Sequence, residues 1–177
     1  LKKVSKGDIH PSLAESKEPE VVFDQKECTF TPHSLIVRTD QQVVVKSDDN
    51  VPHNTHTYPI FNDGVNFIVA PNDRIGIKVP KFAMKEPLPM QVKCDIHAWM
   101  QAYWLVIDHP YATTTNADGE FTIEKLPAGD YTFVDWQERV GYVDKALAAT
   151  IKAGAKTDLG EIKAAAAKFE VKADEQE

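Results

Sequence analysis

The chain has 177 residues, of which 42% are hydrophobic and 27% charged, an ordinary balance for a globular protein long enough to bury a core. A formal net charge of −7 argues against a nucleic-acid partner, which needs a basic surface. Charged or polar residues interrupt every apolar run before it could span a bilayer. The acidic excess falls mostly in the second half of the chain and reads as a solvated face more readily than as a surface that steers a basic partner. No signal peptide is visible. Leu1 is not a start methionine, so the chain reads as a mature or trimmed product.

Residues 1–20 are polar, contain Pro11 and Pro19, and read as a mobile or loosely docked arm. Beyond them the character is β. Val21–Phe23, Ser34–Thr39 and Val43–Lys46 are short β-branched runs. The segment 47–74 is rich in Asn, Asp, Pro and Gly and is expected to be mostly loop. Ile75–Val79 is a further strand. In Met90–Cys94 the odd-and-even alternation points Met90, Val92 and Cys94 to one side, which buries Cys94 at the strand end. Gln101–Asp108 is strongly β. A second β pattern follows, with turns at Asn116–Gly119 and Leu126–Asp130 and strands expected at Glu120–Glu124, Tyr131–Trp136, Ala148–Lys152 and Leu159–Lys163. The expected fold is therefore all-β, two sandwiches in series, with domains at 21–108 and 109–163 and a tail at 164–177.

The sharpest chemical feature is Cys94-Asp95-Ile96-His97-Ala98-Trp99-Met100. It places a thiolate, an imidazole and a thioether within seven residues of a strand–loop–strand segment. Soft sulfur with borderline nitrogen suits copper, and a thioether is a rare ligand for zinc. A fourth ligand has to come from elsewhere, and His53 of Pro52-His53-Asn54 is the best candidate. Asn54 is expected to bond to backbone near Cys94 and pin the two loops together. With side chains in all four positions no site stays open for substrate, which argues against an enzyme. No dinucleotide, P-loop, zinc-protease or nucleophile-elbow motif is present.

Pro52-His53-Asn54 followed by C-x2-H-x2-M resembles the copper site of the cupredoxins, with the short ligand loop of the amicyanin and plastocyanin-like members. The resemblance covers roughly residues 21–108. It implies a Greek-key β-sandwich holding one type 1 copper ion, with His53, Cys94 and His97 as strong in-plane ligands and Met100 as the weak axial one. It also implies electron transfer in the periplasm or another extracytoplasmic place, with a redox protein such as a c-type cytochrome or an oxidoreductase as partner. The tandem arrangement resembles secreted bacterial chains called methylamine-utilisation proteins. In those, a cupredoxin runs into a small carboxypeptidase-regulatory-like sandwich of transthyretin type. Thr113–Gly119, Phe121, Leu126–Tyr131 and Trp136 carry that second likeness. Two positions depart from the pattern. Thr39-Asp40-Gln41 stands where a turn glycine is usual, and Gln137 stands where a histidine usually follows Trp136.

Other readings stay open at this stage. A Cys28–Cys94 disulfide would consume the thiolate and leave a metal-free, two-sandwich binding or scaffold module. A copper store or sensor would hold the ion without turning it over. Cys28 itself reads first as a buried, unreacted thiol and second, together with His33, as a support of the copper ligands or part of a second metal site. His56, three residues after His53, is the nearest additional candidate, whereas His10 and His109 read as structural or exposed. Trp99, Tyr103 and Trp104 are expected to fill the core and cover the metal rather than to form an electron path. His97, in mid-loop, is expected to be the ligand most exposed to a partner, ringed by a hydrophobic docking patch.

Overall fold

The β-branched and aromatic runs become strands that alternate buried and open side chains, and two sheets then share one apolar interior. In the computed structural model residues 4–169 are described, and the chain divides into two units. The first is Pro11–Ile123; the second joins residues 4–10 to the segment that begins at Glu124. Residues 108–111 lie within the first.

In the first unit the strands are β1 (Glu20–Lys26), β2 (Thr29–Thr31), β3 (Ser34–Arg38), β4 (Gln42–Val45), β5 (His53–Tyr58), β6 (Asn66–Val69), β7 (Ile77–Lys78), β8 (Met90–Lys93) and β9 (Gln101–Ile107). They form a four-stranded sheet in the order β2-β1-β4-β7 and a five-stranded sheet in the order β3-β9-β8-β5-β6. The β1–β4 and β3–β9 pairs are parallel and the others antiparallel. One core cluster takes Phe23, Val43 and Val45 from the first sheet and Val37, Val92, Trp104 and Val106 from the second. Trp104 is fully buried, with the Phe23 ring edge-on at 4.9 Å and Phe82 at 6.4 Å.

Segment 47–74 differs from expectation: it holds β5 and β6. The β5 residues His53, Asn54, Thr55 and Thr57 are polar and buried, so no apolar period marks the strand. Their side chains are satisfied by partners far along the chain, as when Gln25 Nε2 donates to Thr55 Oγ1 at 2.9 Å. The arm also differs in part. Its residues 13–19 are tied down, with Arg38 donating to the carbonyls of Leu13 and Ala14, Ser16 N–H donating to Asp40, and Gln41 donating to the Glu18 carbonyl. Those same contacts occupy the turn at Thr39-Asp40-Gln41. It needs no glycine, because none of its residues takes a positive φ. Gly76 is a different case: its φ is +90°, and a Cβ there would meet Val44 Cγ1 at 2.6 Å.

In the second unit β10 (Gly129–Gln137) and β11 (Gly141–Ile151) pair as an antiparallel hairpin, closed by Gln137 Oε1 accepting from Arg139 and Val140 N–H. The described residues 109–163 contain this one two-stranded sheet in place of the four strands expected there. Residues 120–124 and 159–163 are irregular. Gly160, at φ +66° with its N–H held by Asp158, breaks the second of these out of the extended region. Of the expected tail, 166–169 forms a single 3-10 turn, and 170–177 lies outside the described residues.

Two carboxylates generate predictions. Glu86, 4% exposed, gathers the loop ahead of β6 by accepting from the N–H groups of Ile60, Phe61 and Asn62 and from Asn62 Nδ2. Burial alone would raise its pKa; these hydrogen bonds outweigh burial and lower it. A lowered native pKa means stability present above the ordinary carboxylate range and lost as pH falls through the native value. Glu86→Gln is expected to cost about 2 kcal/mol in urea denaturation at pH 7, with a smaller further loss on acidification than the wild type shows. Asp135 behaves oppositely. Burial first and then the charge of Asp144, its cross-strand partner, raise its pKa. It therefore destabilises the hairpin as pH rises through the carboxylate range. Asp135→Asn is expected to slow amide exchange in β10 and β11 at pH 7 by a few-fold at most.

Candidate metal centre

The centre lies where the start of β5 meets the loop joining β8 to β9. Residues 94–100 form that loop, and it closes on itself: Cys94 N–H donates to the Met100 carbonyl at 3.1 Å, and Met100 N–H to the His97 carbonyl at 2.9 Å. The β8–β9 register ends at Lys93 and Gln101, so both loop ends are fixed by the ladder. Burial along Met90, Val92 and Cys94 follows the strand alternation and leaves Cys94 2% exposed.

His53, Cys94 and His97 offer ligand atoms that lie within 4.8 Å of one another, a group that could hold a metal ion. His53 Nδ1 is 2.9 Å from His97 Nδ1, and His97 Nδ1 is 3.8 Å from Cys94 Sγ. Metal bonds of about 2.0 Å to nitrogen and about 2.3 Å to sulfur place such donors roughly 3–4 Å apart. Both of these pairs thus already stand at the separations of a shared ion. Both cysteines are free. Met100 is 1% exposed and sits at the end of the same loop.

Each donor is oriented by a neighbour. His53, fully buried, directs Nε2 at Asp49 Oδ2 at 2.7 Å, which keeps the proton on Nε2 and leaves Nδ1 as a lone pair. The Asp49 carboxylate also accepts from the backbone N–H groups of Glu27 and Cys28, at 2.6 and 3.0 Å. Burial acts to raise its pKa, but the bonds from Cys28, His53 and Glu27 prevail and lower it. Cys94 Sγ accepts from the N–H groups of His97 and Asn54, at 3.4 and 3.5 Å. Such donors tune the electron density on the sulfur.

Asn54 joins the two halves. Its Oδ1 accepts from Asp95 N–H at 2.6 Å, and its Nδ2 donates to Asp95 Oδ2 and Asn66 Oδ1, both at 2.8 Å. Asp95 further accepts from Asn66 and faces His56 Nδ1 at 3.1 Å. The His56 bond leads the contacts that lower the Asp95 pKa. His56 therefore lies beside the centre, bound to Asp95 and to Tyr58 Oη, and not among the three converging donors.

The aromatic cover differs from expectation. Trp104 fills the core, but Trp99 is 67% exposed, with its ring 5.1 Å from the His97 ring and its indole N–H on the Cys28 carbonyl. Ile96 beside it is 49% exposed, while His97 is half-buried. His33 packs edge-on against Tyr103 at 5.8 Å and belongs to no ligand group among the described residues. His109 is buried and accepts from Tyr111 N–H. Asp49, Asn66 and Asp95 were not singled out by the sequence. Asp49 carried one signal, its position four residues before His53, but polar loops are full of such carboxylates.

Neither a protein-family model nor a curated protein matches the chain. Solved structures do. A reduced tryptophan-to-tyrosine mutant of amicyanin matches at 16% identity and TM-score 0.42, over 52% of this chain and 87% of that one. A purple cupredoxin from Nitrosopumilus maritimus matches at 15% identity and TM-score 0.38, over 50% and 99%. A Cu(I) methionine-to-alanine mutant of amicyanin matches at 15% identity and TM-score 0.40, over 52% and 87%. Among the described residues no helix is long and apolar enough to cross a membrane.

Removing the Asn54 side chain unties Asp95 and Asn66 together. Asn54→Ala is expected to cost about 1–3 kcal/mol of stability in denaturant and to weaken metal affinity about 10–100-fold in a chelator-competition titration.

Proposed function

We propose that the first unit is a cupredoxin-type domain in which His53, Cys94 and His97 would hold a single copper ion, with Met100 as a fourth, weaker ligand, and that it carries electrons outside the cytoplasm. The observation that carries the reading is the donor set: one thiolate and two imidazole nitrogens converging at metal-ligand separations, with a buried thioether at the end of the same loop. Soft sulfur and imidazole nitrogen suit copper in both of its common oxidation states. When bound, copper supplies a one-electron couple between Cu(I) and Cu(II).

The residues of the chain do the rest. The Asp49 bond to His53 and the closed hairpin loop hold the donors in one geometry, so little has to move when charge changes at the site. The N–H groups of Asn54 and His97 draw electron density from Cys94 Sγ and so favour the reduced state. Side chains occupy each proposed position, which leaves no place for substrate and supports a carrier over an enzyme. His97 is flanked in the chain by exposed Ile96 and Trp99, an apolar surface on which a redox protein such as a c-type cytochrome could dock, and its ring would then be the route for electrons. An extracytoplasmic place fits the motif resemblance. On the same resemblance, residues 109–163 are a regulatory-like module that positions the copper domain, and 21–108 is the copper domain proper.

Adding Cu(II) to the metal-free protein is expected to give an intense visible thiolate-to-copper absorption that Cys94→Ala abolishes. A colourless wild type, or an equally coloured variant, overturns the reading. Met100→Leu is expected to keep the colour and raise the reduction potential, because losing the axial donor destabilises Cu(II) more than Cu(I). An unchanged potential removes Met100 from the ligand set.

A further inference from the structure

The His53 ring has two nitrogens, and the copper reading uses only Nδ1. Its Nε2 faces the other way, onto Asp49 at 2.7 Å. On that side lies Cys28, half-buried and free, in the turn between β1 and β2. The turn is unusual. Glu27 and Cys28 both take left-handed backbone angles, at φ 54° and 52°, although neither is glycine. Asp49 holds both of their N–H groups, and Trp99 donates to the Cys28 carbonyl at 3.1 Å. The Asp49 main chain is fixed in turn, its carbonyl accepting from Asn72 N–H at 2.7 Å. Cys28, Asp49 and His53 thereby present a sulfur, a carboxylate oxygen and an imidazole nitrogen that all lie within 4.8 Å of one another.

We propose that Cys28, Asp49 and His53 Nε2 form a second metal site, for a thiophilic divalent cation of the zinc type, sharing the His53 ring with the copper centre through its opposite nitrogen. Thiolate, imidazole and carboxylate are the ligand types zinc takes, and three protein ligands leave a fourth position for water. The Asp49 carboxylate stands between the other two, accepting from Cys28 N–H at 3.0 Å and facing His53 Nε2 at 2.7 Å. Binding expels the Cys28 thiol proton to solvent; the His53 Nε2 proton moves to Nδ1 where copper is absent and is lost to solvent where copper holds Nδ1, and the cation takes its place on the Asp49 carboxylate. Cys28 thus stands with Asp49 and His53, and not with the His33 of the second sequence reading. A cation on this side withdraws density from His53, so its occupancy and the copper centre are coupled through one ring.

Cadmium reports the site directly, because a cadmium–thiolate bond absorbs in the near ultraviolet. In the Cys94→Ala full-length chain, added Cd2+ is expected to raise that absorption to saturation at one ion per chain, with release of the Cys28 thiol proton. Cys28→Ser in the same background is expected to abolish it, and Asp49→Asn to weaken Cd2+ binding about tenfold or more. The chain carrying both Cys94→Ala and Cys28→Ser should keep the far-ultraviolet circular dichroism of the Cys94→Ala chain, which shows that the loss is not one of folding. No cadmium absorption in the Cys94→Ala chain, or an absorption that survives Cys28→Ser, overturns the proposal. The copper reading is judged separately, on the visible absorption that needs Cys94, so either can fail without the other.

Discussion

Everything at the candidate centre depends on one buried amide. Asn54 stands 2% exposed between β5 and the Cys94 loop, and its oxygen and nitrogen are both spent on bridging them. The residue before it is His53, and the residue before its partner Asp95 is Cys94. Bonding Asn54 to Asp95 therefore brings the first histidine and the thiolate side by side. Leaving either group unpaired in the interior would cost on the order of 1–3 kcal/mol. The bridge is for this reason a register lock as well as a bond.

The lock has a counterpart on the far side of the His53 ring. Asp49 gathers the backbone of the β1–β2 turn and the Nε2 of His53 at once, so the four-stranded sheet and the five-stranded sheet are stitched together next to the donors. The apolar cluster around Trp104 and Phe23 holds the same two sheets deeper in the sandwich. A buried polar network over a packed apolar core gives stiffness in two ways: dense packing resists displacement, and directional bonds fix which way each ring faces. Stiffness is the property that the proposed electron carrier needs.

Polarity and exposure divide the loop. Cys94 and Met100 at its ends are buried, and Ile96 and Trp99 between them stand in solvent. Trp99 is also fastened to the Cys28 carbonyl, so the exposed apolar surface is fixed to the β1–β2 turn and is not a free flap. The inner half of the loop presents donors, and the outer half presents a surface.

The sequence by itself determined the all-β class, six of the strands in the first unit, the buried phase of Cys94 and the set of thiolate, imidazole and thioether packed into seven residues. These are local properties: side-chain alternation has a period of two, and a ligand loop is contiguous in the chain. Tertiary structure decided the rest. It made a strand of His53–Tyr58, whose polar residues are buried only because distant groups meet their hydrogen bonds. Asp49 it chose from a run of acidic and amide residues, and Asp95 and Asn66 it recruited around Asn54. It turned Trp99 outward while Trp104 went in. It also left one hairpin where four strands were expected, since a β pattern becomes a sheet only where a partner strand completes its ladder. Pairing across forty residues leaves no periodic mark on either partner, and so only the fold could show it.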